Sequence, residues 1–268
     1  TYPGQPVSVL VGRDDVIFEI DNKSITNRPD LWGHYGIARE LAAIYDLPLK
    51  PLPEFKEKLP TGISVEINDG SRCARYAALS IEGIVNKPSP IWMRERLASL
   101  DVRPINLMVD ITNYVMLCVG EPTHAFDAAH VEGGIVVRRA QAGEKLTLLN
   151  DEVVELCDSD LLIADKVKAL ALAGVMGGKL DSVLEDTQAV ILEVANFDAI
   201  GTRRTATRLG VRTESSSRFE KALDTQRVDQ ALGLTVALLK ELMPEARFTG
   251  FTDNVVNETE SLLVPVSK

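Results

Sequence analysis

The order of elements along this chain predicts an α+β fold: a mixed sheet flanked by helices and preceded by a small helical and strand segment. Strand patterns and amphipathic helical stretches alternate irregularly, without the regular strand–helix–strand succession of a doubly wound sheet. Composition agrees. With 45% hydrophobic and 25% charged residues among 268, the chain has the make-up of a soluble globular protein long enough to bury a core. No apolar run approaches the roughly 18 residues of a membrane span.

In chain order, residues 16–20 read as a short strand. Asn27-Arg28-Pro29-Asp30 reads as a turn in which Asp30 caps a helix with apolar positions at Leu31, Tyr35, Ile37, Leu41 and Ile44. Residues 49–60 hold three prolines and aperiodic charges, the composition of a linker. A boundary near residue 60 therefore separates a scaffold segment, 1–60, from a main domain, 61–268. Beyond it, residues 63–67 alternate as a strand does, and 75–85 are rich in β-formers. Ser89-Pro90 reads as an N-cap with proline at the first helical position, opening a helix over 91–100. A second helix is expected over 107–119, stopped by Gly120. Gly133-Gly134 introduces a strand at 135–138, and Asn150-Asp151 predicts a hairpin between 146–149 and 153–156. Further strands are expected at 161–164, 169–173 and 189–194, and helices at 199–208 and 228–242.

Cysteine and charge usage narrow the chemistry. Cys73, Cys118 and Cys157 form no CxxC pair and no metal-ligand spacing, which fits a reduced, cytosolic setting and no catalytic metal. The net charge of -10 argues against gripping a long stretch of nucleic acid, because phosphate binding needs clustered Lys and Arg. The opening Thr1-Tyr2-Pro3-Gly4 has neither an initiator Met nor a signal pattern, and suggests a piece of a longer protein.

Four local combinations bear on function. A helix carrying Thr112 and Asn113 near a turn bearing His124 offers polar groups for a ribose or a water; alternatively Asn113 caps and His124 satisfies a loop carbonyl. Ala173-Gly174-Val175-Met176-Gly177-Gly178 lets backbone approach a ligand or simply turns the chain, and matches neither a phosphate loop nor a dinucleotide fingerprint. Glu193 stands alone in an apolar run, where period-2 alternation puts it on one face with Ile191 and Ala195. It points into water, pairs with an arginine, or sits as a hydrogen-bond acceptor at the bottom of an apolar pocket. The run from Arg212 to Glu220 reads as a loop entering a serine-capped helix, with no Ser/His/Asp triad and no nucleophile elbow.

Together these stretches resemble a known family. Asn27-Arg28-Pro29-Asp30 with Gly36-Ile37-Ala38-Arg39-Glu40 is similar to a signature of bacterial phenylalanine–tRNA ligase beta subunits. The segment 75–224 resembles their editing domain, through Asp110-Ile111-Thr112-Asn113-Tyr114-Val115, His124-Ala125-Phe126-Asp127, the 169–178 run, Leu192-Glu193, Arg212-Thr213-Glu214 and Arg218-Phe219-Glu220. The resemblance implies hydrolysis of misacylated Tyr-tRNA(Phe). It implies an α2β2 enzyme in which an alpha subunit, ATP and magnesium serve ligation, with no cofactor in this piece and only the tRNA(Phe) 3′ end entering it. It places His124, Asn113, Thr112 and Arg103 around the ester and terminal adenosine, and Glu193 at the tyrosine hydroxyl. Gly174, Gly177, Thr213 and Ser215 line the amino-acid pocket, some relatives having alanine at the Ser215 position. The resemblance leaves a second reading, a non-catalytic module that docks an RNA end or a protein, since the C-terminal part of tRNA-lysidine synthetases has a related fold.

Overall fold

The computed structural model describes residues 16–180 and 182–256, with isolated positions 263, 265 and 266 beyond them. Residues 16–20 form no strand, and Phe18 there is 81% exposed. Asp30 does not cap a helix either. It lies in a 3-10 turn (Pro29–Trp32), where Arg28 and Arg39 reach its Oδ2 at 2.8 and 2.7 Å. The hydrogen bond from Arg28, with help from Arg39, holds its carboxyl down to about 2. Gly33 takes the cap position of helix α1 (His34–Tyr45), which ends at Asp46 in a left-handed conformation.

The main body begins with strands β1 (Val65–Ile67) and β2 (Cys73–Glu82), then helices α2 (Ile91–Ser99) and α3 (Leu107–Val119). Ser89 is not the N-cap of α2. Pro90 is, and the Ser89 hydroxyl donates instead to Asp110 Oδ2 at 2.5 Å, fastening the start of α2 to α3. Helix α3 has the bounds its sequence foretells: Asn106 Oδ1 accepts from the Val109 N–H at 3.0 Å, and Gly120 ends it at φ +76°. There follow β3 (Thr123–Asp127), β4 (Ile135–Arg139), the hairpin β5 (Lys145–Thr147) and β6 (Val153–Glu155), then β7 (Leu161–Ala164), β8 (Ala169–Leu172) and β9 (Met176–Gly177). The chain closes with β10 (Ala189–Phe197), helices α4 (Ala199–Leu209), α5 (Glu214–Phe219) and α6 (Arg227–Leu242), and β11 (Arg247–Val255).

The architecture is α+β. An antiparallel sheet runs β11-β2-β10-β3, and a mixed sheet runs β1-β4-β7-β8-β9 with β1 and β4 parallel. Period-2 alternation decides what each face of the first sheet covers. Ala77, Leu79, Ile81, Val190, Leu192 and Val194 turn to α2, α3 and α6 and form one apolar core. Tyr76, Ala78, Phe126, Ile191 and Ala195 turn to the second sheet, meeting Ile135, Val137, Ile163 and Ala171. Glu193 therefore points between two sheets. Leu52, Phe55 and Leu59 of the proline-rich stretch pack on the helical core, with the Phe55 ring 4.8 Å from that of Phe251.

Candidate functional site

A cavity of about 520 Å³ opens where α3, β3, β8–β9, β10 and α5 meet, within the size range of small-molecule sites. Its apolar walls include Met116, Ile163, Val175 and Phe219, with Ile105 and Leu149 partly exposed to solvent. The polar groups set into these walls come mainly from α3, β3, β10 and the start of α5.

Antiparallel register places Glu193 of β10 directly opposite His124 of β3, so the two side chains share one sheet face. Glu193 is 6% exposed and lines the cavity. Among the described residues it has no ion-pair partner. Its Oε2 accepts a hydrogen bond from Tyr76 Oη at 2.9 Å. Burial pushes the Glu193 carboxyl up to about 8, the Tyr76 hydrogen bond opposing only part of the shift. At neutral pH Glu193 is therefore mostly a neutral acid rather than the ionised acceptor that a lone glutamate suggests. His124 is on a strand, not a turn, because β10 extends its pairing through Val190–Val194 opposite Thr123–Asp127. Burial pushes its imidazole down to about 4, so the ring is neutral at pH 7. Among the described residues neither ring nitrogen has a hydrogen-bond partner, and the ring stands edge-on to Phe126 at 4.7 Å.

Two glycines admit this arrangement. A Cβ on Gly177 would lie 2.6 Å from His124 Cε1, so only glycine lets the imidazole rest against β9. Gly174 has φ +69° and packs against Thr202, Phe197 and Phe219, a backbone region that disfavours side chains. Thr213 caps α5 reciprocally with Ser216 and also donates its hydroxyl to Val175 O at 2.7 Å. Ser215 Oγ donates to Gly174 O at 3.2 Å, so its hydroxyl ties α5 to the glycine turn. From α3, Thr112 and Asn113 face the cavity; the Thr112 hydroxyl spends its proton on Val109 O at 2.7 Å, leaving lone pairs for a ligand.

Eight of the nine residues singled out by sequence thus converge: His124, Asn113, Glu193, Thr112, Gly174, Gly177, Thr213 and Ser215. Arg103 does not join them; it is exposed on the coil before α3 and lines no part of the cavity. Sequence reasoning missed Tyr76, Leu149 and Ile163: β2–β10 pairing brings Tyr76 to Glu193, Ile163 stands on β7 of the facing sheet, and Leu149 follows β5 with its N–H on Gly177 O. Among the described residues no group of three or more His, Cys, Asp or Glu is placed to hold a metal, and no helix is long and apolar enough to cross a membrane.

Fold and cavity together define a class: an α+β domain with a largely apolar cavity of small-molecule size, lined by a buried acid beside a neutral imidazole. The family model of the B3/4 domain matches residues 72–244. The chain is similar to the phenylalanine–tRNA ligase beta subunits of Solibacter usitatus (47% identical over 240 residues, 88% of this chain and 31% of that protein) and Aquifex aeolicus (44% over 239, 88% and 30%). It is likewise similar to that of Streptococcus mutans (40% over 271 residues, 99% and 33%). A solved N-terminal fragment of the phenylalanyl-tRNA synthetase beta subunit from Pyrococcus horikoshii shares 19% identity at a TM-score of 0.40, over 78% of this chain and 71% of that one. The chain belongs to the B3/4 domain family. It spans about a third of the length of the curated relatives it matches.

Proposed function

We propose that this domain hydrolyses the ester of tyrosine wrongly attached to tRNA(Phe), as the editing part of a phenylalanine–tRNA ligase beta subunit. The observation that carries the reading is Glu193 buried at the cavity floor in register with His124. Phenylalanine and tyrosine differ by one hydroxyl, and an apolar synthetic pocket rejects an added hydroxyl by only about a hundredfold in a comparable case. A second pocket that favours the hydroxyl supplies the missing discrimination. Tyrosine's phenol pairs with the Glu193 oxygen that Tyr76 does not engage, whereas phenylalanine leaves that buried oxygen unpaired at a cost of about 1–3 kcal/mol.

The ester lies above, between α3 and β3. With a pKa near 4, His124 is a weak base. It accepts a hydrogen bond from water and orients it, and an aminoacyl ester is activated enough not to need full deprotonation. Asn113 holds the ester or ribose from the facing helix, and the lone pairs of Thr112 receive a ribose hydroxyl. Arg103, exposed before α3, steadies the RNA end outside the cavity. In this reading the longer enzyme is an α2β2 assembly in the cytoplasm; ATP and magnesium belong to its ligation reaction with the alpha subunit, and no step here passes through them.

Deacylation of Tyr-tRNA(Phe) by this chain at high concentration tests the reading. Glu193→Ala is expected to lower the rate roughly ten- to a hundredfold, the worth of one buried hydrogen bond to an ionisable group. Hydrolysis at the parent rate contradicts it, and absence of hydrolysis by the parent itself favours a docking module.

A further inference from the structure

Glu193 is held from behind. In the β2–β10 register Glu193 faces Ala78 and Ala195 faces Tyr76, which makes Tyr76 its diagonal neighbour on the same face, within reach of an aromatic side chain. The Tyr76 ring has no exposed surface and packs with Phe126 and Ile135, where a phenylalanine of the same shape would fill the layer equally. Its hydroxyl nevertheless reaches Glu193 Oε2, and a fully buried hydroxyl is costly unless it is partnered so. Tyr76 does not line the cavity, but Glu193 does. Among the described residues no other hydrogen bond or ion pair engages that carboxyl, so its second oxygen is left for the cavity.

The groups facing Glu193 are the neutral His124 on β3 and, on β2, Cys73 and Tyr76, both kept protonated by burial. The acid itself is mostly neutral at pH 7. An oxygen that accepts from a phenol is the carbonyl-like one, so the acid's proton belongs on the other oxygen. Resting on the editing reading, we propose that Tyr76 is the positioning residue of the selectivity site. Its O–H fixes the Glu193 carboxyl and directs the acid's proton into the cavity, so the site takes an aromatic side chain whose ring oxygen accepts a hydrogen bond.

The test combines a carboxyl-carbon NMR titration of Glu193, assigned by its loss in Glu193→Gln, with deacylation of Tyr-tRNA(Phe) and Phe-tRNA(Phe) by the 268-residue chain. Tyr76→Phe is expected to raise the Glu193 midpoint, because a bond favouring the ionised form is lost. It is expected to cut the tyrosyl-over-phenylalanyl ratio of kcat/KM about tenfold, and to add nothing in a Glu193→Ala background. Replacing tyrosines by 3-fluorotyrosine in the otherwise unchanged chain strengthens the donor and is expected to lower the midpoint, a measurement that needs no variant to fold. Midpoint and ratio both at parent values in Tyr76→Phe, or an unmoved midpoint with fluorotyrosine, overturn the role of Tyr76 and leave that of Glu193 standing. A Glu193→Ala chain at the parent rate overturns the editing reading itself.

Discussion

At the scale of single residues the site is a set of groups whose ordinary behaviour burial has altered. Gly177 is the sharpest case. Alanine there sets a methyl carbon 2.6 Å from His124 Cε1, and the imidazole, being a side-chain end, swings away while the backbone stays. Gly177→Ala is therefore expected to keep its near-ultraviolet dichroism and thermal midpoint within a few degrees while losing at least about tenfold in deacylation, a positioning loss. A parent-like rate would remove His124 from the chemistry. Glu193 was legible as a lone acid in an apolar strand, because period-2 alternation allowed only solvent, a partner or a pocket floor. That its ordinary acidity is lost, and that Tyr76 lies behind it, were not legible. Both depend on what three strands bring together across more than a hundred positions of chain.

Among the elements, those with terminal signals were the most legible. Helix α3 matches its expected span because Asn106 and Gly120 mark its ends chemically, and the β5–β6 hairpin follows from Asn150-Asp151, with Asp151 at φ +69°. Strand β3 went unread because Pro122, His124 and Asp127 break its apolar pattern; β10 makes it a strand by pairing with it. Strand β11 went unread because Thr249, Thr252, Asp253 and Asn254 make it polar, yet β2 pairs with it along nearly its whole length. Residues 16–20 show the converse, a strand-like composition that forms no strand. The cap of α3 holds the helix that presents Thr112 and Asn113 to the cavity: Asn106→Ala is expected to cost about 1 kcal/mol of stability. Urea denaturation measures this, and an unchanged midpoint would show that tertiary packing alone fixes α3.

For the whole molecule, buried titratable groups give stability a pH signature, Glu193 and His124 of the cavity among them. Glu193 rises from its ordinary 4.5 to about 8, so the folded chain holds its proton where the unfolded chain has lost it. That contribution is complete below 4.5 and is lost as pH climbs to 8. His124 falls from 6.5 to about 4, so its contribution is complete above 6.5 and is lost as pH drops to 4. Between 4.5 and 6.5 the two slopes oppose each other; above 6.5 that of Glu193 remains, joined by that of Glu121, whose carboxyl burial also raises well above its ordinary value. Glu193→Gln is expected to remove about 2 kcal/mol of the parent's decline between pH 6.5 and 8, read by urea denaturation at each pH; an undiminished decline would place the carboxyl in solvent. The net charge of -10 has its own consequence for RNA. Binding of tRNA to this chain is expected to be weak, with a log–log salt slope shallower than about −3, since few phosphates are neutralised.

The measurement that bears most directly on recognition is a crystal structure of this chain with a non-hydrolysable tyrosyl-adenosine amide. The ring is expected between the apolar walls with its phenol oxygen hydrogen-bonded to Glu193 and the amide carbonyl beside His124 and Asn113. A ring that enters the cavity the other way round, or lies outside it with Glu193 untouched, contradicts selection of tyrosine by a buried acid.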